Sequence, residues 1–80
     1  MKAAEVIKQI LAERGIRKTE LGRACGARRQ IIEKRLSNRD METGTMVKML
    51  NGIGYKVYAV PATVAQPRGS YEITAPEEEE

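Results

Sequence analysis

The chain has 80 residues, enough for one small domain, and its 14 basic and 11 acidic side chains give a formal net charge of +3. Its single cysteine excludes an internal disulfide, and one cysteine without histidine supplies no ligand set for zinc. Because the apolar residues form no continuous run that would suit a signal peptide or a membrane span, we expect a protein of the reducing cytoplasm.

The charge is distributed unevenly along the chain. Residues 1–60 carry thirteen basic and six acidic side chains, whereas residues 61–80 carry one and five. This division favours a polyanion-binding body followed by a solvated acidic end. We expect residues 76–80 to be a disordered acidic tail, because their like charges repel one another. The tail is interpreted as solubilising, with competition against phosphate for the basic body as the alternative.

An amphipathic helix is predicted at the start of the chain, from about Lys2 to Arg14. Its apolar residues recur three and four positions apart, as one buried helix face requires, and they are Ala3, Val6, Ile7, Ile10 and Leu11. Gly15 follows this pattern, and we expect it to end the helix in the left-handed conformation.

Two short helices joined at Gly26 are predicted next, the first from about Lys18 to Cys25 and the second from about Arg28 to Ser37. Small or apolar residues at helical spacing give each helix a face to bury, and they are Leu21, Gly22, Ala24, Cys25, Ala27, Ile31, Ile32 and Leu36. Gly22 lowers the helix propensity, which indicates that the two helices approach closely there. Cys25 is interpreted as a small core residue rather than a redox sensor.

A fourth helix is predicted from about Thr43 to Ile53, after Asn38 ends the third in the left-handed conformation. The period changes to two at Tyr55–Val60, which predicts a β-strand stopped by Pro61. A second strand is predicted at Ser70–Thr74. Since a lone strand is not stable in water, the first must pair with the second, with its copy in another subunit, or with both.

We favour pairing between subunits, which makes the chain a homodimer. The predicted dimer interface consists of four residues of the first strand, and these are Tyr55, Val57, Tyr58 and Val60. The chain then divides into a DNA-binding part at residues 1–54, a dimerisation part at 55–75 and the acidic tail at 76–80.

Long hydrogen-bonding side chains cover the outer face of the predicted third helix, and they are Arg28, Arg29, Gln30, Glu33 and Lys34. Arginine and lysine suit guanine, and glutamine suits adenine, in the DNA major groove. Residues 14–39 hold nine basic and only two acidic side chains, so internal pairing cannot neutralise this excess. Glu33 either accepts from a cytosine amino group or pairs with Arg28 or Arg29 and orients it. The pattern predicts sequence-specific DNA binding.

This pattern is similar to the lambda repressor-like domain of the Cro/repressor (Xre) family. The residues that carry the resemblance are Leu21-Gly22, Gly26, Ile32, Leu36 and Leu50-Asn51-Gly52-Ile53-Gly54-Tyr55. It covers about Val6 to Pro61. It implies a mainly α fold of four to five helices, with a helix-turn-helix in the second and third and a β-strand or hairpin after the last.

The resemblance also implies roles for single residues. It assigns base contacts to Arg29, Gln30, Glu33 and Lys34. It assigns a backbone-phosphate contact to Lys18. We expect further phosphate contacts from the neighbouring cations, Arg17, Arg28, Arg35 and Arg39. The chain departs from the family at Lys18, where glutamine is usual, at Arg28, where serine or threonine is usual, and at Arg35, where an apolar residue is common.

We therefore expect a transcriptional regulator, most simply a repressor, that binds a near-palindromic operator as a homodimer. The alternative is an antitoxin that binds a toxin protein through residues 61–80 and regulates its own operon. RNA binding is less favoured, because the aromatic stacking platform is missing. Without histidine, a cysteine–base pair or a glycine-rich phosphate loop, we expect neither catalysis nor a cofactor.

Overall fold

The computed structural model describes residues 1–38 and 40–75, and this part of the chain contains four helices. They are α1 (Ala3–Arg14), α2 (Lys18–Cys25), α3 (Arg29–Ser37) and α4 (Thr43–Gly52). The predicted mainly α architecture is confirmed. Within these residues, no helix combines the length and the apolar character needed to cross a membrane. Arg39 and the acidic tail at 76–80, for which we predicted a phosphate contact and disorder, lie outside the described residues.

The core is aliphatic and receives side chains from all four helices. α1 packs on α3 and α4, and α2 packs on the same two helices. The largest fully buried side chains are Val6, Ile7, Ile10, Leu21, Ile32 and Met49. Cys25 is buried among them, as the sequence predicted. This core fixes the orientation of α3 from both sides, and so determines which of its residues face solvent.

Glycines end the first two helices as predicted. Gly15 has a φ of +63° and Gly26 a φ of +70°, the left-handed conformation that glycine adopts without the strain of a Cβ. The same prediction for Asn38 was wrong, because its φ of −69° and ψ of 137° are extended.

Ile31 departs from its predicted place on the apolar face. It is 43% exposed, whereas the next residue, Ile32, is fully buried. Consecutive helical residues point about 100° apart, and on α3 the core lies on the side of Ile32, so Ile31 is turned toward solvent. Ile32 takes the core position together with Leu36, one turn later.

Residues 55–75 pack as irregular chain, and the strand predicted at 55–60 is not confirmed. No strand is present in residues 1–38 and 40–75, and within them the backbone of residues 56–60 donates no hydrogen bond. The predicted hairpin with 70–74 is not formed either. Thr74 N–H donates to Met1 O at 2.7 Å, and the Met1 amino group donates to Glu72 O at 3.3 Å. Residues 72 and 74, which were predicted to pair with 55–60, therefore form backbone hydrogen bonds with Met1 instead.

Candidate nucleic-acid interface

The first turns of α2 and α3 open on one shared cleft of about 380 Å³, lined by Arg17, Lys18, Thr19 and Arg29. Arg17 is the residue before α2, Lys18 and Thr19 begin α2, and Arg29 begins α3. Two helix N-termini therefore meet at the cleft, each with a partial positive charge from its free backbone N–H groups. Three cationic side chains add to this potential. Phosphate oxygens are the natural ligands of such a surface.

The start of α3 lacks a side-chain cap. Arg28 precedes the helix in extended conformation, and its side chain makes no capping hydrogen bond to the first turn. An arginine has no acceptor atom to offer these N–H groups, unlike the serine or threonine usual at a cap. The first-turn amides of α3 are left for solvent or for an anion, and Arg28 itself is exposed.

The outward face of α3 carries three of the four residues predicted to contact bases. Arg29, Gln30 and Lys34 are exposed, and Gln30 and Lys34 lie one turn apart on the side away from Ile32 and Leu36. Gln30 and Lys34 are open to solvent, and Arg29 lies at the edge of the cleft. This is the arrangement that a helix needs in order to present side chains to base edges.

Glu33, the fourth predicted base contact, pairs within the helix. Its Oε1 accepts from Arg29 Nε at 3.1 Å, and the two side chains are 43% and 64% exposed. The bond occupies Nε, which leaves the terminal amino groups of Arg29 free to donate elsewhere. Of the two roles that the sequence allowed for Glu33, the free protein adopts the orienting one.

Arg35 lies differently from the other predicted phosphate contacts. It is half-buried on the flank of α3, whereas Arg17, Lys18 and Arg28 are exposed. The charge of Arg35, with that of Lys48, acts on the Cys25 thiol and partly offsets the burial that raises the pKa of that thiol. Arg35 does not line the cleft at the starts of α2 and α3.

The basic charges of α2 and α3 are largely uncompensated. Among residues 1–38 and 40–75, Arg29 and Glu33 form the only ion pair. The side chains of five further cations are exposed and form no ion pair in this part of the chain, and they are those of Arg17, Lys18, Arg23, Arg28 and Lys34. A positive surface of this kind attracts polyanions over about one Debye length, roughly 8 Å at physiological salt.

The structure adds two residues to this surface that the sequence did not single out for it. Thr19 lines the cleft, and a threonine hydroxyl can donate a hydrogen bond there. Ile31, assigned to the core, lies on the exposed face of α3. The position of Thr19, one residue after the predicted phosphate contact Lys18, could have indicated that it lies at this surface. The exposure of Ile31 could have been anticipated because Ile32, the next residue, supplies the apolar side chain that the core needs there.

The predicted dimer residues divide between the core and the surface. Tyr55 is half-buried on its own chain: its ring lies 6.2 Å from that of Tyr71, and its hydroxyl accepts from Arg14 Nε at 3.1 Å. Val57, Tyr58 and Val60 are exposed, Tyr58 by 69%. A groove of about 770 Å³ separates this segment from α1 and α4.

A polar contact holds residues 70–75 on α1. The Tyr71 hydroxyl donates to Glu13 Oε2, and Gln9 Nε2 donates to Glu13 Oε1 at 2.8 Å. The Tyr71 hydrogen bond is the main reason that the pKa of Glu13 lies below its ordinary value, with Gln9 next. The same bond raises the pKa of Tyr71 to about 12.

Comparison of the chain with protein-family models, with curated proteins and with solved structures finds no significant match. The function of the chain is therefore inferred from its own residues and their geometry.

Proposed function

We propose that the chain is a sequence-specific double-stranded DNA-binding transcriptional regulator of the Cro/repressor (Xre) type, acting as a repressor. In this proposal α2 and α3 are the helix-turn-helix, and α3 lies in the major groove. The observation that carries it is the shared cleft at the starts of α2 and α3, where Arg17, Lys18 and Arg29 meet. One surface thus offers phosphate ligands beside donors for base edges.

The division of roles follows from position. Lys18 and Arg17 stand at the start of α2, beside α3 rather than on its outward face, and therefore serve the phosphate backbone. Arg29, Gln30 and Lys34 project from α3 and serve base edges, with Glu33 orienting Arg29. Arg28 and the uncapped first turn of α3 supply a further phosphate contact.

The experiment that tests this function is a binding-site selection from random duplex DNA at two salt concentrations, followed by affinities of variants on the selected site. We expect Arg29→Ala and Gln30→Ala to weaken the selected site by about 1–3 kcal/mol and to relax its sequence preference. Lys18→Ala should weaken all sequences alike and reduce the salt dependence. Lys8→Ala, which removes the same charge from α1, is the matched control.

The selection separates the possible outcomes. Failure to enrich any sequence would remove the proposed function. Enrichment with equal effects of Lys18→Ala and Gln30→Ala across all sites would mean that the assignment of base and phosphate contacts is wrong.

We further propose a homodimer formed through residues 55–60. The support is a backbone whose N–H groups at 56–60 lack partners in the described chain, together with exposed Val57, Tyr58 and Val60. Pairing with a second copy would satisfy those groups and complete the strand expected from the alternating sequence. The two longer dimensions of the protomer, 39 and 35 Å, are comparable to the spacing of successive major-groove turns, about 34–36 Å.

Molecular mass in solution tests the dimer. Tyr58→Asp and Val60→Asp should shift the protein from dimer to monomer in light scattering, because each places a charge in the paired strands. Val64→Asp, an equally exposed valine beyond Pro61, is the control and should leave the dimer intact. A wild-type monomer bound to its operator would contradict the proposal.

A second candidate is an antitoxin that binds a toxin protein and also regulates its operon. The observation that favours it is the presence of exposed apolar side chains beyond the proposed strand, at Val64 and Ile73. Copurification with the product of a neighbouring gene, lost in Val64→Asp but kept in Tyr58→Asp, would establish this role. Unchanged behaviour of both variants would count against it.

A further inference from the structure

Ile31 is an apolar side chain on an otherwise polar helix face. The helix α3 holds three large apolar residues, of which Ile32 and Leu36 are buried in the core while Ile31 is 43% exposed. Its contribution to the core is correspondingly small. A single exposed isoleucine is common on protein surfaces, so its meaning depends on what lies around it.

The neighbours of Ile31 are the residues that face DNA in the proposed function. It adjoins Gln30 in sequence, and Lys34 lies three positions on, within side-chain reach on the same helix surface. At about 100° per residue, Lys34 falls between Gln30 and Ile31 around the helix. The three side chains form one exposed strip that points away from Ile32.

The major groove offers one apolar group to such a side chain, the C5-methyl of thymine. A helical isoleucine has one strongly preferred χ1 rotamer, so its methyl groups are already placed before DNA arrives. Little side-chain entropy is then lost when a thymine methyl packs against it. A longer, unbranched side chain would not present so fixed an apolar surface.

We propose that Ile31 is a specificity-determining residue that selects a thymine in each half-site by packing on its C5-methyl group. This inference rests on the proposed DNA-binding function and deepens it. Gln30 and Lys34 read neighbouring base edges by hydrogen bonding, whereas Ile31 reads shape and apolar surface. The contact adds discrimination at one position without any hydrogen bond.

The test replaces thymines of the selected operator by deoxyuridine, one position in each half-site at a time. This change removes only the methyl group and keeps the O4 acceptor. We expect the wild-type protein to lose about fourfold in affinity for each half-site at a single position, the effect of exposing one buried methyl-sized group. At the other thymines the replacement should have little effect.

Variants then assign that position to Ile31. Ile31→Ala should bind the thymine and uracil operators equally, and Ile31→Val should keep part of the discrimination. Gln30→Ala and Lys34→Ala, the matched controls on the same strip, should bind more weakly but keep the full ratio of thymine to uracil affinity. A role of Ile31 in folding alone would lower both affinities and leave that ratio unchanged.

The outcomes separate the two proposals. Wild-type protein that selects no sequence removes both the regulator function and this inference. A selective protein whose half-site contains no thymine sensitive to methyl loss removes the inference alone. So does an Ile31→Ala variant that keeps the wild-type ratio.

Discussion

The carbonyl oxygen of Ala27 lies so close to Gly22 that a Cβ at residue 22 would be 2.4 Å from it. The Ala27 N–H also donates to the Gly22 carbonyl at 2.7 Å, so both backbone polar groups of Ala27 lie against Gly22. The contact joins α2 to the turn that leads into α3. The spacing between the two helices of the proposed DNA-reading unit is therefore set by the absence of a side chain at residue 22.

We expect Gly22→Ala to lower the free energy of unfolding by about 1–3 kcal/mol, the cost of inserting a methyl group where no room exists. Alanine gains about 1 kcal/mol over glycine in helix propensity, so a net loss would mean that the clash dominates. Urea unfolding by linear extrapolation measures the difference.

Gly44→Ala is the matched control, because Gly44 lies in the first turn of α4 and a Cβ there would meet only Glu42 Oε1 at an ordinary 3.5 Å. This variant should be neutral or up to about 1 kcal/mol more stable. Equal stabilisation by both substitutions would show that the backbone at Gly22 relaxes without cost.

The pair between Arg29 and Glu33 leads to a prediction for DNA binding. Glu33→Gln removes a negative charge from the basic face and weakens the hold on the Arg29 side chain. We expect tighter binding to random DNA together with a weaker preference at the base pair that Arg29 reads. Because an exposed pair contributes less than about 1 kcal/mol, the thermal stability should change little.

Fluorescence anisotropy on selected and random duplexes, at two salt concentrations, measures both effects. Glu20→Gln removes the same charge from α2, where the carboxylate accepts from Arg17 N–H at 3.4 Å, and serves as the control. It should tighten random binding without changing preference at any single base pair. Identical behaviour of the two variants would mean that Glu33 acts through its charge alone.

The helices were predictable from the sequence because each depends on local signals. A periodic apolar face and a terminal glycine define α1, and the same signals define α2 as far as Gly26. The observed bounds of the four helices lie within about one residue of those expected, well inside the usual disagreement over helix ends. The clustering of donors on α3 was predictable for the same reason, since helical spacing places Gln30 and Lys34 together.

The remaining features depend on contacts that leave no local pattern. Adjacent isoleucines at 31 and 32 satisfy the same periodicity, and only the packed core decides between them. The alternating apolar side chains at 55–60 suit a pleated sheet surface, and such a surface exists only where a neighbouring strand pairs with the segment. The contact of Tyr71 with Glu13 joins residues 58 positions apart, beyond any sequence window.

Cys25 should be an unreactive thiol in the folded protein. It is 5% exposed, its Sγ donates to Lys48 O at 3.8 Å, and burial raises the pKa of the thiol, which lowers the fraction of reactive thiolate. We expect modification by a disulfide reagent to be at least about a hundredfold slower than in urea, the ratio given by an opening free energy of about 3 kcal/mol.

A variant in which the cysteine is moved by one residue is the control for Cys25. The double variant Ala24→Cys with Cys25→Ala carries its thiol at an exposed position of the same helix. That thiol should react at nearly the rate seen in urea. A native Cys25 as fast as this control would mean that α2 opens readily, or that the residue is not part of the core.

The hydrogen bond from Tyr71 to Glu13 makes the docking of residues 70–75 depend on pH. The pKa of Glu13 is lowered, so its contribution to stability is present above the ordinary value of 4.5 and is lost as the pH falls through the lowered value. The pKa of Tyr71 is raised from 10.0 to about 12, so its contribution is present below pH 10 and is lost as the pH rises through about 12. The contact is therefore at full strength between these limits.

Absorbance at the wavelength of tyrosinate, followed as the pH rises, measures the upper limit directly. We expect one ionisation step at about pH 12 in the wild-type protein and its loss in Tyr71→Phe, whereas Tyr58→Phe should retain it. Glu13→Gln should move the step down toward pH 10, because the Glu13 hydrogen bond is the largest cause of the shift. Glu5→Gln makes the same charge change elsewhere on α1 and should leave the step in place. An ionisation step at about pH 12 that remains in Tyr71→Phe, or that does not move in Glu13→Gln, would show that this contact does not hold residues 70–75 on α1 in solution.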